Sequence, residues 1–361
     1  MIEVRTPGRV NLIGEHTDYN DGFVMPAAIG YYTFVHAQPL DSPSVILSSP
    51  SVTFTLGALP HERRGDWTDY PRGILIELER AGIALHGAKL DVSATLPIGA
   101  GLSSSASFEI AIALAMLAAS NASMDPTALA LLAQRSEHEH VGIRSGIMDQ
   151  FAVLRARAGH VLLLDTRSLA VEHVPFPDGA RLVIANTMVH HALASSEYNA
   201  RRAECEAGVT AIRRRFPDVR ALRDVSLEML DRCKADLSET IYRRCRHVVT
   251  ENARVLEAAG SLRANDLTHL GRLMHESHES LQNDYQVSCA ELDAMVRVAQ
   301  SLDGCYGARM TGGGFGGCTV NLVAAPAADA FARALASGYR RATGITPELY
   351  DGTPVAGACA A

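Results

Sequence analysis

Three consecutive patterns limit the fold most: KLDVSATL at 89–96, PIGAGLSSSAS at 97–107 and FEIAIALAMLAAS at 108–120. The first alternates apolar and polar side chains, as a half-buried strand does. The second is rich in glycine, which tolerates positive φ and lets backbone approach a ligand closely. The third is a long apolar helix. A helix that opens on serines presents unsatisfied N–H groups and about half a positive charge. That end is suited to an anion, and a triphosphate fits it. The hydroxyls of Ser103, Ser104 and Ser105 could cap the helix, touch phosphate oxygens or bind Mg²⁺. A plain serine-capped helix start would read the same, so other segments must decide.

The chain has two lysines, Lys89 and Lys234, and neither follows a glycine. The GxxxxGK[ST] loop and the VAIK lysine of protein kinases are therefore absent. If a nucleotide binds, backbone amides, arginine and Mg²⁺ must hold its phosphates. The net charge of -7 lacks the basic footprint of a nucleic-acid binder. Arg213–Arg214–Arg215 reads as a solvated helix face. The cysteines, at 205, 233, 245, 289, 305, 318 and 359, are odd in number and include no CxxC. This favours a reducing compartment over a disulfide framework or structural zinc. The start MIEVRTPGRV offers no signal peptide. The longest apolar run, Ile110–Ala119, is too short to cross a bilayer. The expectation is a cytoplasmic protein without membrane or nucleic-acid partners.

A length of 361 residues suits two domains. Residues 22–36 read as strand, turn, strand, and 44–56 as a hairpin. A helix is expected to open at Asp66–Trp67 and stop at Gly82. Asp125 and Pro126 supply an N-cap and first helical residue for 126–140. Strands are predicted at 160–165 and 181–186. Helices follow at 196–215, 226–233, 238–259, 265–282 and 288–301, then a strand at 319–325 and a helix at 327–341. A strand-rich first half and helix-rich second half place a boundary near 166–180.

Three further segments gather polar groups. Residues 7–21, PGRVNLIGEHTDYND, crowd Arg9, Glu15, His16, Asp18 and Tyr19 into a turn-like stretch. Such density suits a polyhydroxylated ligand, because a carboxylate can accept from two vicinal hydroxyls. A solvated loop is the plainer reading. Residues 137–151, EHEHVGIRSGIMDQF, hold Asp149 among apolar neighbours, where an aspartate needs a partner. The EHEH run is not a metal site, since i,i+2 residues of a helix do not share a face and HExxH is absent. His190–His191, His275 and His278 read as surface groups. Residues 310–322, MTGGGFGGCTVNL, match GxGxxG at 312, 314 and 317. A β-branched run follows instead of a helix, so a tight loop beside a ligand outweighs a dinucleotide fingerprint.

In this order the four segments resemble the galactokinase branch of the GHMP kinases. PGRVNLIGEHTDYN is similar to that branch's N-terminal signature, PIGAGLSSSAS to the phosphate motif and MTGGGFGGCT to the C-terminal motif. GIMDQF, SSEY at 195–198 and 277–293 also resemble the family, and the likeness covers almost the whole chain. The resemblance implies an α+β, two-domain GHMP kinase fold. A ribosomal protein S5 domain 2-like domain would span 1–172 and a ferredoxin-like, helix-rich domain 173–361, with the active site in the cleft between them. It implies Asp149 as the catalytic aspartate and Arg9 as the arginine facing it. Glu15, His16, Thr17, Asp18, Gly146 and Tyr198 would hold the sugar. Gly99, Ala100, Gly101, Leu102, Ser103, Ser104 and Ser105 would cradle ATP, with Trp67, Tyr70 and Ser49 near adenine. Ser105 and Glu137 would bind Mg²⁺. Arg144–Ser145, just before Gly146, occupy a place where the family varies.

The implied reaction is phosphorylation of galactose at the anomeric hydroxyl by a monomeric enzyme. A carboxylate facing an arginine is a poor ground-state base, but a loose transition state asks little of the base early on. Asp149 is therefore expected to orient the hydroxyl and take its proton late. The rivals are a kinase for N-acetylgalactosamine or a uronic acid, a non-catalytic sensor and a dehydrogenase. Sensors of this kind lack the Ser-Ala pair, present here as Ser105–Ala106. The dehydrogenase rests on the glycine cluster alone.

Overall fold

Alternating apolar side chains in the first half become a sheet, and the all-apolar helix becomes its cover. A computed structural model describes residues 2–49, 53–56, 63–190 and 194–360. The strands begin with β1 (Ile2–Asn11), β2 (Phe23–Val24), β3 (Pro26–Pro39), β4 (Val45–Ser48) and β5 (Thr53–Leu56). Next come α1 (Asp69–Arg80), β6 (Ala88–Ala94), α2 (Ser104–Ala119), α3 (Pro126–Ser136), α4 (Met148–Arg155), β7 (His160–Asp165) and β8 (Ala170–Pro175). In the first sheet β1, β3, β6, β4 and β5 lie side by side, and β2, β7 and β8 form a separate small sheet. Val35, Leu47 and Leu90 of the strands pack on Ile74, Leu78, Ile110, Met116 and Leu132. Helix α2 is apolar all round because it lies between that sheet and its neighbouring helices. Asp125 caps α3 as expected, accepting from the amides of Thr127 and Ala128.

The second half supplies β9 (Ala180–His190), α5 (Ala194–Arg213), α6 (Leu227–Arg232), α7 (Glu239–Arg263), α8 (Leu267–Ser280), α9 (Ala290–Gln300) and β10 (Cys305–Met310). It ends in β11 (Gly316–Ala324), α10 (Ala328–Thr343), β12 (Glu348–Asp351) and β13 (Cys359–Ala360). The second sheet runs β10-β11-β9-β12. One continuous core joins Leu12, Ile13 and Met25 from the first half to Ile184, Val320, Val255 and Met274 from the second. Strand β13 crosses back to pair with β1, Val4 opposite Ala360.

The structure corrects several expectations. Pro7–Asn11 is not turn-like but belongs to β1, where it pairs with β3. The register shifts between Pro7 and Gly8, and this bulge breaks the alternation that would betray a strand. Strand β10 escaped the pattern because it buries Arg309. The helix from Pro126 ends at Ser136 and continues as a π turn over Glu137–Val141. His278 is not a surface group. It follows the buried stripe Leu270, Met274, Ser277 of α8, its Nδ1 accepts from the Met310 amide, and its Nε2 lies 3.3 Å from Asp293. His275 is half-buried. His191 and the 50–52 turn of the expected hairpin lie outside the described residues. The cysteines are unpaired. Among the described residues no helix is long and apolar enough to cross a membrane.

Glu251 on α7 ties the halves together. Fully buried, it accepts from the Gly14 amide (3.0 Å), Arg254 Nε (2.7 Å) and Ser277 Oγ (2.5 Å). Burial alone would raise this carboxyl, but Arg254 and the other charges around it outweigh burial and hold it at about 2. A depressed acid stabilises the fold above its unfolded value of 4.5 and loses that contribution as pH falls toward 2. Glu251→Gln should therefore cost about 3 kcal/mol at pH 7, by the energy equivalent of the shift. Urea midpoints across a pH series should show the gap to wild type closing below pH ~4, the carboxylate's ordinary range.

Candidate active site

The bulge at Pro7–Gly8 brings the end of β1 beneath the glycine turn, where the Arg9 amide donates to Leu102 O at 3.1 Å. Arg9 Nη1 then reaches Gly101 O at 2.8 Å. Its Nε and Nη2 grip Asp149 in a fork, at 2.7 and 2.8 Å. Arg9 is buried, while the Asp149 side chain keeps 27% of its surface. Asp149 opens α4, so its carboxylate sits on the first turn of a helix. A cavity of about 740 Å³ contains this pair together with Gly99, Gly101 and Ser103–Ser105. Ser103, at φ 66, precedes α2, and its hydroxyl has no partner among the described residues. Ala100 and Leu102 face the other way, into the core.

The glycine cluster at 312–317 supports this turn from behind. Gly312 and Gly317 have φ of 84 and 81, and a Cβ on either would lie within 3 Å of the carbonyls of Gly101 and Ala100. Only glycine allows that approach. No helix follows, which disposes of the dinucleotide reading.

Trp67, Tyr70 and Ser49 line the far wall of the cavity. Thr33, Val92, Ala94, Leu96 and Phe108 also line it and were not anticipated. The signal was available: Val92, Ala94 and Leu96 are two apart, and Ala94 pairs with Thr33, so they share a face of the sheet.

On the other side of Asp149 lies a polar group. Asp18 takes amides of Tyr19 (3.1 Å) and Met148 (3.4 Å). Burial, then Asp149 nearby, pushes its carboxyl up to about 6. Gly146 lies so close that a Cβ there would overlap the Asp18 carboxylate. His16 is buried and neutral, its pKa driven to about 3 chiefly by burial. Its Nδ1 bonds Tyr19 Oη at 2.8 Å, and its ring sits 5.4 Å from that of Tyr198. The Thr17 hydroxyl donates to the carbonyls of Gly14 and Phe23, which fixes the turn. Glu15 is almost fully buried. Its Oε2 meets Asn11 Nδ2 and Arg309, and its Oε1 takes the Gly312 amide.

Beyond Asp149, Glu137 is buried in the π turn, with Ser105, Ser145 and Gln150 in hydrogen-bond reach. Burial and Asp149 push it up to about 7, against those hydrogen bonds. Glu109 lies beneath it, held well above the carboxylate range by burial and by Glu137. A different cluster, Glu77, Glu139 and His140, brings ligand atoms within 4.8 Å of one another. There Arg80 and Arg135 already pair with Glu77, taking the place of a cation.

The family model described as GHMP kinases N terminal domain matches residues 69–157, and that described as GHMP kinases C terminal matches 258–341. The Galactokinase galactose-binding signature matches 2–39. The chain is 45% identical over 353 residues to a galactokinase of Roseiflexus sp. (strain RS-1), covering 97% of this chain and 90% of that one. It is 43% identical over 350 residues to a galactokinase of Halalkalibacterium halodurans, covering 95% and 89%. The crystal structure of Lactococcus lactis galactokinase complexed with galactose superposes with a TM-score of 0.95 at 35% identity, covering 99% and 95%. Methanococcus jannaschii mevalonate kinase, at 18% identity and a TM-score of 0.68 over 97% of each chain, shares the fold. With a phosphate turn, an arginine-held aspartate and these likenesses running the length of the sequence, the chain belongs to the galactokinase family of GHMP kinases.

Proposed function

We propose that the chain transfers the terminal phosphoryl group of ATP to the anomeric hydroxyl of galactose, giving galactose 1-phosphate and ADP. The observation that carries this reading is the Arg9–Asp149 fork, set between the glycine turn and the polar group around Asp18. Residues 1–172 form the domain with the phosphate turn, the sugar motif and Asp149. Residues 173–361 form the domain with Tyr198 and the backing glycines. Amides of the Gly99–Ser105 turn and the start of α2 hold the phosphates, without lysine. Trp67, Tyr70 and Ser49 flank the base. Glu15, His16, Thr17, Asp18, Gly146 and Tyr198 form or fix the sugar pocket, with ionised Asp18 accepting from vicinal hydroxyls.

Ser105 and Glu137 fit Mg²⁺, a hard cation that takes oxygen ligands. The support is a buried carboxyl raised to about 7, as expected of an anion without its counter-charge. When bound, Mg²⁺ neutralises charge on the phosphates. Asp149 accepts a hydrogen bond from the anomeric hydroxyl, aligns its oxygen for in-line attack and takes the proton late. Arg9, anchored on Gly101 O, holds Asp149 and presents positive charge to the transferring group. The free cysteines support a cytoplasmic location.

Asp149→Ala should lower kcat by about 10³-fold or more while leaving ATP affinity within a few-fold. Coupled ADP release and calorimetry measure the two, and near-normal kcat in that variant would overturn the role. With Asp18 titrating at about 6, kcat/KM for galactose should fall as pH drops through that value. In Asp18→Asn that limb should vanish and KM for the sugar should rise, read from pH–rate profiles at saturating ATP.

A further inference from the structure

The wall of the sugar pocket formed by Gly146 belongs to a short loop, 142–147, between the π turn and α4. This loop has little apolar anchorage at its outer side, where Arg144 is exposed. Helix α5 holds it instead. Asn199, Arg202 and Glu206 follow at spacings of three and four, so they share one helix face. Asn199 brackets the loop, taking the Arg144 amide at 3.2 Å and giving to Gly142 O at 3.3 Å. Glu206 pairs with Arg144 Nη2 at 2.6 Å. Arg202 is the member of the face that reaches inward. Its Nη1 donates to Arg144 O at 2.8 Å, its Nε meets Glu206 at 3.1 Å, and its guanidinium lies 5.8 Å from the centre of the Tyr19 ring. One planar fork thus joins the loop backbone, the helix and the aromatic wall of the pocket.

Resting on the sugar-kinase reading above, we propose that Arg202 is the positioning residue that sets sugar affinity and selectivity, by fixing the 142–147 loop so that Gly146 closes on Asp18. Arg202 makes this contact only through the loop backbone and Tyr19, so its effect on a sugar passes through those groups. Lysine cannot replace it, since an ammonium lacks the planar fork needed to serve the carbonyl and Glu206 together. Arg202 is also the positive charge that acts with the Met148 and Tyr19 amides against burial and Asp149 at Asp18. Those facing Asp18 are Asp149 from α4, Tyr198 and Arg202 from α5, and the amides of Met148 and Tyr19. Removing Arg202 leaves only the two amides to offset burial and Asp149 at that position.

The test measures KM for galactose, KM for ATP and the pH profile in Arg202→Met and Arg202→Lys. Arg202→Met should raise KM for galactose about tenfold, leave KM for ATP within about twofold and reduce preference for galactose over its C4 epimer. It should also move the acidic limb of kcat/KM to higher pH, a change that loss of packing alone would not produce. Arg202→Lys should raise KM for galactose while keeping the limb near its wild-type position. Unchanged KM for galactose in both variants, or KM values for sugar and ATP rising together, would overturn the proposal. If Arg202→Met does not fold, Arg202→Lys decides on the KM split alone. Sugar-dependent ADP release by wild type separates this inference from its premise: without such release the kinase reading itself fails.

Discussion

The whole arrangement rests on a buried ion pair between Arg309 of β10 and Glu15 within the first signature, 2.5 Å apart and both almost inaccessible. Arg309 also donates to Asn11 O and Ser277 Oγ, and Glu15 takes Asn11 Nδ2 and the Gly312 amide. Burial works against the charge on Glu15, while Arg309 and the Gly312 amide favour it. Such pairs rarely add net stability, because desolvation consumes what attraction returns. Their strength is geometric, since any other docking of the second half would leave one of the two charges buried and unpaired. The pair fixes the signature turn, the glycine cluster and α8 in one register. The phosphate turn, resting on Gly312 and Gly317, inherits that register.

From there the site is an exercise in crowding carboxylates. Asp18, Asp149, Glu137 and Glu109 follow one another inward, and burial, then repulsion from neighbouring carboxylates, raises Asp18, Glu137 and Glu109. Asp149 is the member held by an arginine fork. Four neighbouring acids thus have different environments, and under the proposed function one side accepts sugar hydroxyls and the other a cation. In the same proposal phosphate binding falls to main-chain dipoles, which do not titrate.

Much of this was legible in the sequence. The apolar helix α2 and its serine entry were visible because an unbroken apolar run follows a glycine- and serine-rich turn. Asp125 capped as read, and the resemblance supplied Arg9 and Asp149 as partners. What stayed hidden involved residues whose pattern was broken for structural reasons. β1 was masked by the Pro7–Gly8 bulge and β10 by its buried arginine. The burial of His278 followed from the α8 stripe and was missed because a histidine among polar neighbours looks solvated. The roles of Arg202 and Asn199 depend on a loop more than fifty residues away, which no local pattern encodes.

The pairing of β13 with β1 has a consequence for how the protein is made. Val4 meets Ala360 across more than 350 residues, so β1 completes its hydrogen bonds only with a strand made long after it. Until then part of its outer edge is an unpaired row of amides and carbonyls, open to a strand from another chain. Contacts of this separation also slow folding, because loop closure precedes any return. The interval between synthesis and closure is therefore the period in which a nascent chain is most exposed to misassembly, and the two-residue tail strand is what ends it.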